Sequence, residues 1–202
     1  MPRPSLETVR REEILEAFVR SVACFGLEGA TQERIAEAAG VKRPILRHYL
    51  GNRDAMIAAL IDHLADRFDA ETAALGRALP HDVSGAGRVE AMLELLFGPR
   101  SATPAETVLA FQAIVAAAPR YPKARTAMLA SVTRFHDLVE AELSAAYPKA
   151  PADEIAAVAF GLVSLTFNLD ALAPLRPPRA WRSAAGRAAR SLVETLGDKN
   201  DG

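Results

Sequence analysis

The stretch Gly29-Ala30-Thr31-Gln32-Glu33-Arg34-Ile35-Ala36-Glu37-Ala38-Ala39-Gly40-Val41-Lys42-Arg43-Pro44-Ile45-Leu46-Arg47-His48-Tyr49-Leu50-Gly51-Asn52-Arg53 decides how the chain is read. Two short helices joined by a tight turn at Gly40 account for it. Thr31 suits the cap of the first, because its hydroxyl can accept from an otherwise unpaired backbone N–H, and Glu33 is well placed in the first turn. Gly40 ends that helix. Pro44 falls in the first turn of the second, where a missing N–H costs little. Gly51 and Asn52 break the second helix, and Asn52 then caps the next. A helix-turn-helix needs a small residue where its helices meet, glycine in the turn and an apolar inner face. Ala36, Gly40, Val41, Leu46 and Tyr49 fill those places, with Ile35 adding a contact. The outer face carries Lys42, Arg43, Arg47 and His48, donors suited to phosphates and to guanine edges in a major groove.

Working outward, the whole chain reads as all-α. Strand-like alternation is nearly absent, and Ala, Leu, Arg and Glu dominate. Upstream, Ile14, Phe18 and Val22 recur four apart with Leu15 and Val19 beside them, which predicts a helix over 5–25 ended by Gly26 and Gly29. Cys24 is expected on that apolar stripe as a buried, inert thiol. Downstream, a long helix is expected over 53–79 and a loop over 80–87. Further helices are expected over 88–97, from the capping box Thr103-Pro104-Ala105-Glu106 to about Pro119, and over 122–147, 153–172 and 179–196. Pro99 is expected to help stop the helix before it, and the tail after Gly197 is expected to fray. The plan has about nine helices.

The 202 residues include 50% apolar types and one cysteine, with a net charge of −1. A sizeable core is therefore available, an internal disulfide framework is excluded, and a reducing cytoplasm is expected. No run of about 18 uncharged apolar residues occurs, so no membrane span is expected. Nor is a secretory leader, since the first residues run into charge. Charge is unevenly placed. Ala39 to Arg53 holds Lys42, Arg43, Arg47 and Arg53 and no acid. A local positive stripe on a near-neutral protein fits a surface that meets phosphate. Nothing converges on an enzyme. Asp62, His63 and Asp66 are too few to argue a metal site. Gly85-Ala86-Gly87 lacks the rest of a dinucleotide fingerprint. No cofactor and no metal are expected. His63, His81 and His136 read as surface or capping groups.

With glycine turn, packing slots and basic face in one register, residues 8–60 resemble the N-terminal domain of the tetracycline-repressor (TetR) family. The resemblance implies a DNA-binding domain over 1–54 and a ligand-binding and dimerisation domain over 55–202. It also implies a homodimeric transcriptional regulator, released as a repressor by an unknown small molecule. In these terms Thr31 would hold a phosphate, and Lys42, Arg43, Pro44, Ile45, Arg47 and His48 would face the groove. Tyr49 would be part core and part backbone contact, and Asn52 and Arg53 would clamp a phosphate. Pro44, Arg47 and Leu50 depart from the small residue, tyrosine and phenylalanine frequent in the family at those places. Four cations per subunit in a dimer would give a salt slope of about −7 on double-stranded DNA. Dimer symmetry calls for an inverted-repeat operator.

Past residue 60 the likeness is architectural. The apolar segment Ala156 to Leu165 and the last helix are implied to pair with a second subunit through Phe160, Val163, Trp181, Ala185, Ala188 and Leu192. Met92, Phe97, Phe111, Met128, Phe135, Phe167 and Asn168 are candidate pocket residues. Asn168 and Asp170 interrupt an apolar helix and need partners there. The alternative from another functional class is an all-helical protein–protein adaptor without sequence-specific DNA binding.

Overall fold

The computed structural model describes residues 6–98 and 103–197. Among them are nine α-helices and no strand: α1 (Leu6–Gly29), α2 (Gln32–Ala38), α3 (Arg43–Leu50), α4 (Arg53–Ala78), α5 (Gly85–Phe97), α6 (Ala105–Ala116), α7 (Pro122–Ala146), α8 (Ala152–Leu172) and α9 (Arg179–Gly197). A single 3-10 turn, Ala173–Leu175, follows α8. Ser5, Pro99 and the tail after Gly197, read above as a helix start, a stop and a frayed end, lie outside the described residues.

The helices gather into two compact units. The first takes the chain up to Arg67 and adds Pro104–Leu129; the second takes Phe68–Thr103 and Ala130 onward. Helices α4 and α7 each supply residues to both. In the first unit, Ile14, Phe18 and Val22 of α1 are buried with Ile35 of α2, Leu46 and Leu50 of α3, Ile57 and Leu60 of α4, and Ile114 of α6. The four-residue apolar period of α1 is thus used as the periodicity predicts. Regular helix in α1 stops at Gly26, whose φ of 69° only glycine adopts cheaply.

The second unit is built around α8 and α9, which pack on one another, with α5 against α9. Its core includes Met92, Leu93, Phe135, Val139, Leu162 and Val193. Charged clamps tie its helices. Arg88 of α5 donates through Nε and Nη2 to the two carboxylate oxygens of Glu142 on α7, at 2.9 and 2.6 Å, and through Nη1 to the carbonyl of Pro80. Arg190 of α9 grips Glu90 of α5 at 2.7 Å.

Several expectations need correction. Cys24 is exposed, because α1 turns its Ile14–Phe18–Val22 stripe inward and Cys24 falls off it. His63 is buried, not a surface group: its Nε2 lies 3.1 Å from Glu16 Oε1, and Arg67 reaches the same carboxylate. The region 80–87 is only partly loop. Helix α5 begins at Gly85, where a Cβ would come within 2.6 Å of the Ala146 backbone, so glycine there serves close approach to α7. The capping box at Thr103 does not form. Pro104 is the cap of α6 and makes no side-chain bond, while the Thr103 hydroxyl donates to Asp170 Oδ2 at 2.9 Å. That bond also supplies the partner Asp170 needs. The expectation of no membrane span is not overturned: Ala152–Leu175, with a mean hydropathy of 1.8, could cross a membrane by length and composition alone, a test that core helices also pass. Its uncharged run, 155–169, is bounded by Glu154 and Asp170 and falls short of the run of about 18 that a span needs.

Candidate nucleic-acid interface

The turn between α2 and α3 is closed by the backbone. Val41 N donates to Ala36 O at 2.9 Å and Gly40 N to Glu37 O at 3.0 Å, the paired bonds of a Schellman motif. Gly40 has φ 62° there, the left-handed conformation that the motif requires. Val41 then packs on the first unit's core, and α3 starts at Arg43 with Lys42 as its cap residue. Rotation about α3 is set by Leu46 and Leu50, both buried. With that face pinned inward, Lys42, Arg43, Pro44, Ile45, Arg47 and His48 are all exposed, and Tyr49 is half-buried with its ring edge-on to His48 at 5.3 Å.

The basic groups are not equivalent. Lys42 and Arg47 pair with no described acid. Arg43 does: its Nη1 lies 2.7 Å from Glu33 Oε1 on α2. The Glu33 carboxyl is held below the usual range by its own backbone N–H, with further help from the Arg43 charge and the Thr31 hydroxyl against the opposing effect of burial. Thr31 caps α2, accepting from Arg34 N at 3.4 Å, and is exposed. Asn52 Oδ1 accepts from Ala55 N at 2.9 Å, as a cap of α4 should. Arg53 is engaged within the protein itself. Its Nη1 donates to Ala30 O at 2.7 Å, and its Nη2 to Leu27 O, with the guanidinium near the Phe18 ring. It satisfies carbonyls freed where α1 breaks at Gly26, and so braces the reading helices from behind.

Sequence reasoning missed two members of this assembly. Arg34 donates to Gly29 O at 2.8 Å while lying over the Phe25 ring, a second brace on the same turn. Glu33 was read only as a helix-start acid. Its contact with Arg43 spans two helices and the turn between them.

The chain is similar to known proteins in sequence and in fold. No family model matches the chain. The chain is 30% identical over 199 residues to the HTH-type transcriptional regulator BetI of Burkholderia mallei, covering 97% of each. It is 28% identical over 165 residues to BetI of Rhizobium meliloti. A TetR transcription regulator from Haloarcula marismortui superposes with a TM-score of 0.72 at 17% identity, over 93% of this chain and 97% of that one. A TetR-family regulator from Cytophaga hutchinsonii gives 0.72 at 12%, over 96% and 98%. The chain belongs to the TetR family of transcriptional regulators. As a TetR-family member it is a DNA-binding regulator, and the adaptor reading gives way. Its relatives are regulators, not enzymes. Among the described residues, no group of three or more His, Cys, Asp or Glu side chains is placed to hold a metal.

Proposed function

We propose that this TetR-family chain acts in the cytoplasm as a homodimeric repressor, reading an inverted repeat with α3 and leaving it when a small molecule binds. The supporting observation is the division of α3 into two faces. Leu46 and Leu50 lock one side into the core, while Lys42, Arg43, Ile45, Arg47 and His48 stand exposed together on the other. Lys42 and Arg47 are assigned to phosphates and Arg43 to a base edge. Ile45 and Pro44 are assigned to apolar contact in the groove, with Thr31 and Asn52 at flanking phosphates. Arg53 positions the head and contributes no counterion release. With Arg43 already neutralised by Glu33, a dimer brings four free cations to DNA, and the salt slope becomes about −4 instead of −7.

DNA reading is assigned to 1–54, and ligand binding and dimerisation to 55–202. On α8 and α9, Phe160 is 67% exposed and Trp181 52%, large apolar surface that a second subunit would cover. Ala188 is exposed, Ala185 and Leu192 are half-buried, and Val163 is buried in the chain's own core. That use of α8 also explains an apolar helix without a membrane.

For the ligand, the second unit holds Met92, Phe97, Phe135 and Phe167, with Phe68 stacked on Phe167 at 5.8 Å and edge-on to Phe135 at 6.1 Å. Phe111 and Met128 belong to the first unit, and Asn168 is exposed. A cleft of about 600 Å³ in the second unit is lined by Phe97, Leu169, Pro177, Arg179 and Arg182 among others. Selection of genomic fragments by the purified protein at physiological salt tests the reading. Recovery of one inverted-repeat site is expected. Recovery of sequence-independent DNA alone would sink it.

A further inference from the structure

The geometry points to Glu33 as a specificity-determining residue: by pairing with Arg43 it holds that guanidinium for base reading and withholds its charge from sequence-independent phosphate binding. The inference rests on the groove assignment of Arg43 made above. Three observations carry it. The pair is close, Arg43 Nη1 to Glu33 Oε1 at 2.7 Å, and joins the helix that leads into the turn to the helix that leaves it. It is the reading face's one ion pair among the described residues, since Lys42 and Arg47 have no acidic partner. Both groups remain more than half exposed, so the pair stands at the surface DNA must meet and is not a core device.

The consequence follows from electrostatics at short range. A free guanidinium is attracted to any phosphate and releases counterions wherever the protein lands. One paired with a carboxylate presents little net charge beyond a Debye length of about 8 Å. Its remaining N–H groups still form a planar fork, and a fork held by one anion has fewer orientations to lose on meeting a guanine edge. Glu33 therefore lowers affinity for random DNA while preserving the contact that discriminates sequence. Arginine is suited to this division because its five donors allow one edge to face a carboxylate and another to face a base.

The test compares wild type, Glu33→Gln, Arg43→Gln and the double variant. Each binds random duplex and the duplex sequence selected by wild type, across a salt series. Glu33→Gln is expected to tighten binding to random duplex and to steepen the random-duplex slope by about 2 per dimer, one released cation per subunit. The ratio of selected to random affinity is expected to fall roughly tenfold, the scale of one good bidentate contact. In the Arg43→Gln background the same change at position 33 should shift neither slope nor ratio. Glu33→Ala, which removes the carboxylate by another route, should behave as Glu33→Gln; thermal melts confirm that each variant is folded. If Arg43→Gln lowers discrimination while Glu33→Gln leaves both slope and ratio unchanged, the role of Glu33 is overturned and the groove assignment stands. An effect of Glu33→Gln that persists without Arg43 also overturns it. If Arg43→Gln discriminates as wild type does, the groove assignment itself fails and the inference with it.

Discussion

At the scale of single residues, strain and burial set what each position tolerates. Gly40 is in the left-handed region with no atom within 4 Å of where a Cβ would be, so a substitution there costs backbone strain and not a clash. Gly40→Ala should destabilise by about 1–2 kcal/mol, the left-handed penalty for an L-residue, read as a lower denaturant midpoint with an unchanged slope. Asp170 presents the opposite kind of cost. Burial pushes its carboxyl up from the usual range, against the lowering effects of the Thr103 hydroxyl and the Arg182 charge. A carboxyl with a raised folded value favours folding fully only below its unfolded value, and that contribution is lost as pH rises through the folded one. Once ionised, above its folded value, it opposes folding. Asp170→Asn should therefore raise the melting temperature at pH 7, with a gain that shrinks as pH falls through the carboxylate range. A gain that grows on acidification would contradict the assignment. Asp69 shows how a partner reverses the sign. Burial alone would raise it, but the Arg134 guanidinium and the Ser131 hydroxyl outweigh burial and hold it low. Its contribution is present at neutral pH and lost in acid.

At the scale of elements, α3 is an instrument aimed by its buried side. Leu46 and Leu50 fix its rotation, the Schellman turn fixes its start, and Arg34 and Arg53 brace the preceding turn through the carbonyls of Gly29, Ala30 and Leu27. The exposed cations then differ in use. Lys42→Ala should weaken binding to all sequences alike and flatten the salt slope by about 2 per dimer, since each subunit loses one phosphate contact. Salt titrations on random and selected duplex check it. A loss confined to one base position would move Lys42 from phosphate to base reading.

At the scale of the whole molecule, DNA reading and assembly are assigned to different helices. Phe160 and Trp181 expose apolar surface on α8 and α9, the surface proposed above to be covered by a second subunit. Wild type should sediment as a dimer. Phe160→Glu should sediment as a monomer while keeping its helical spectrum, because the side chain lies outside the subunit's own core. Half-site affinity should then replace affinity for the inverted repeat. A dimer that survives Phe160→Glu would place the subunit contact elsewhere.

The all-helical plan, the turn at Gly40 and the basic face of α3 were legible in the sequence because each depends on neighbours within a few residues. Apolar spacing fixes which side of a helix is buried, and glycine and proline mark where the backbone turns. Where reasoning failed, the partner lay far along the chain. Thr103 left its capping box for Asp170, and His63 went inside to meet Glu16. Arg53 turned from solvent to the carbonyls of Leu27 and Ala30, and Gly85 became a contact with Ala146. Glu33 found Arg43 across a turn. A local pattern says which groups need partners. Only the packing of distant helices decides which partners come within hydrogen-bonding distance, because unpaired polar groups take the nearest donor or acceptor that the fold supplies.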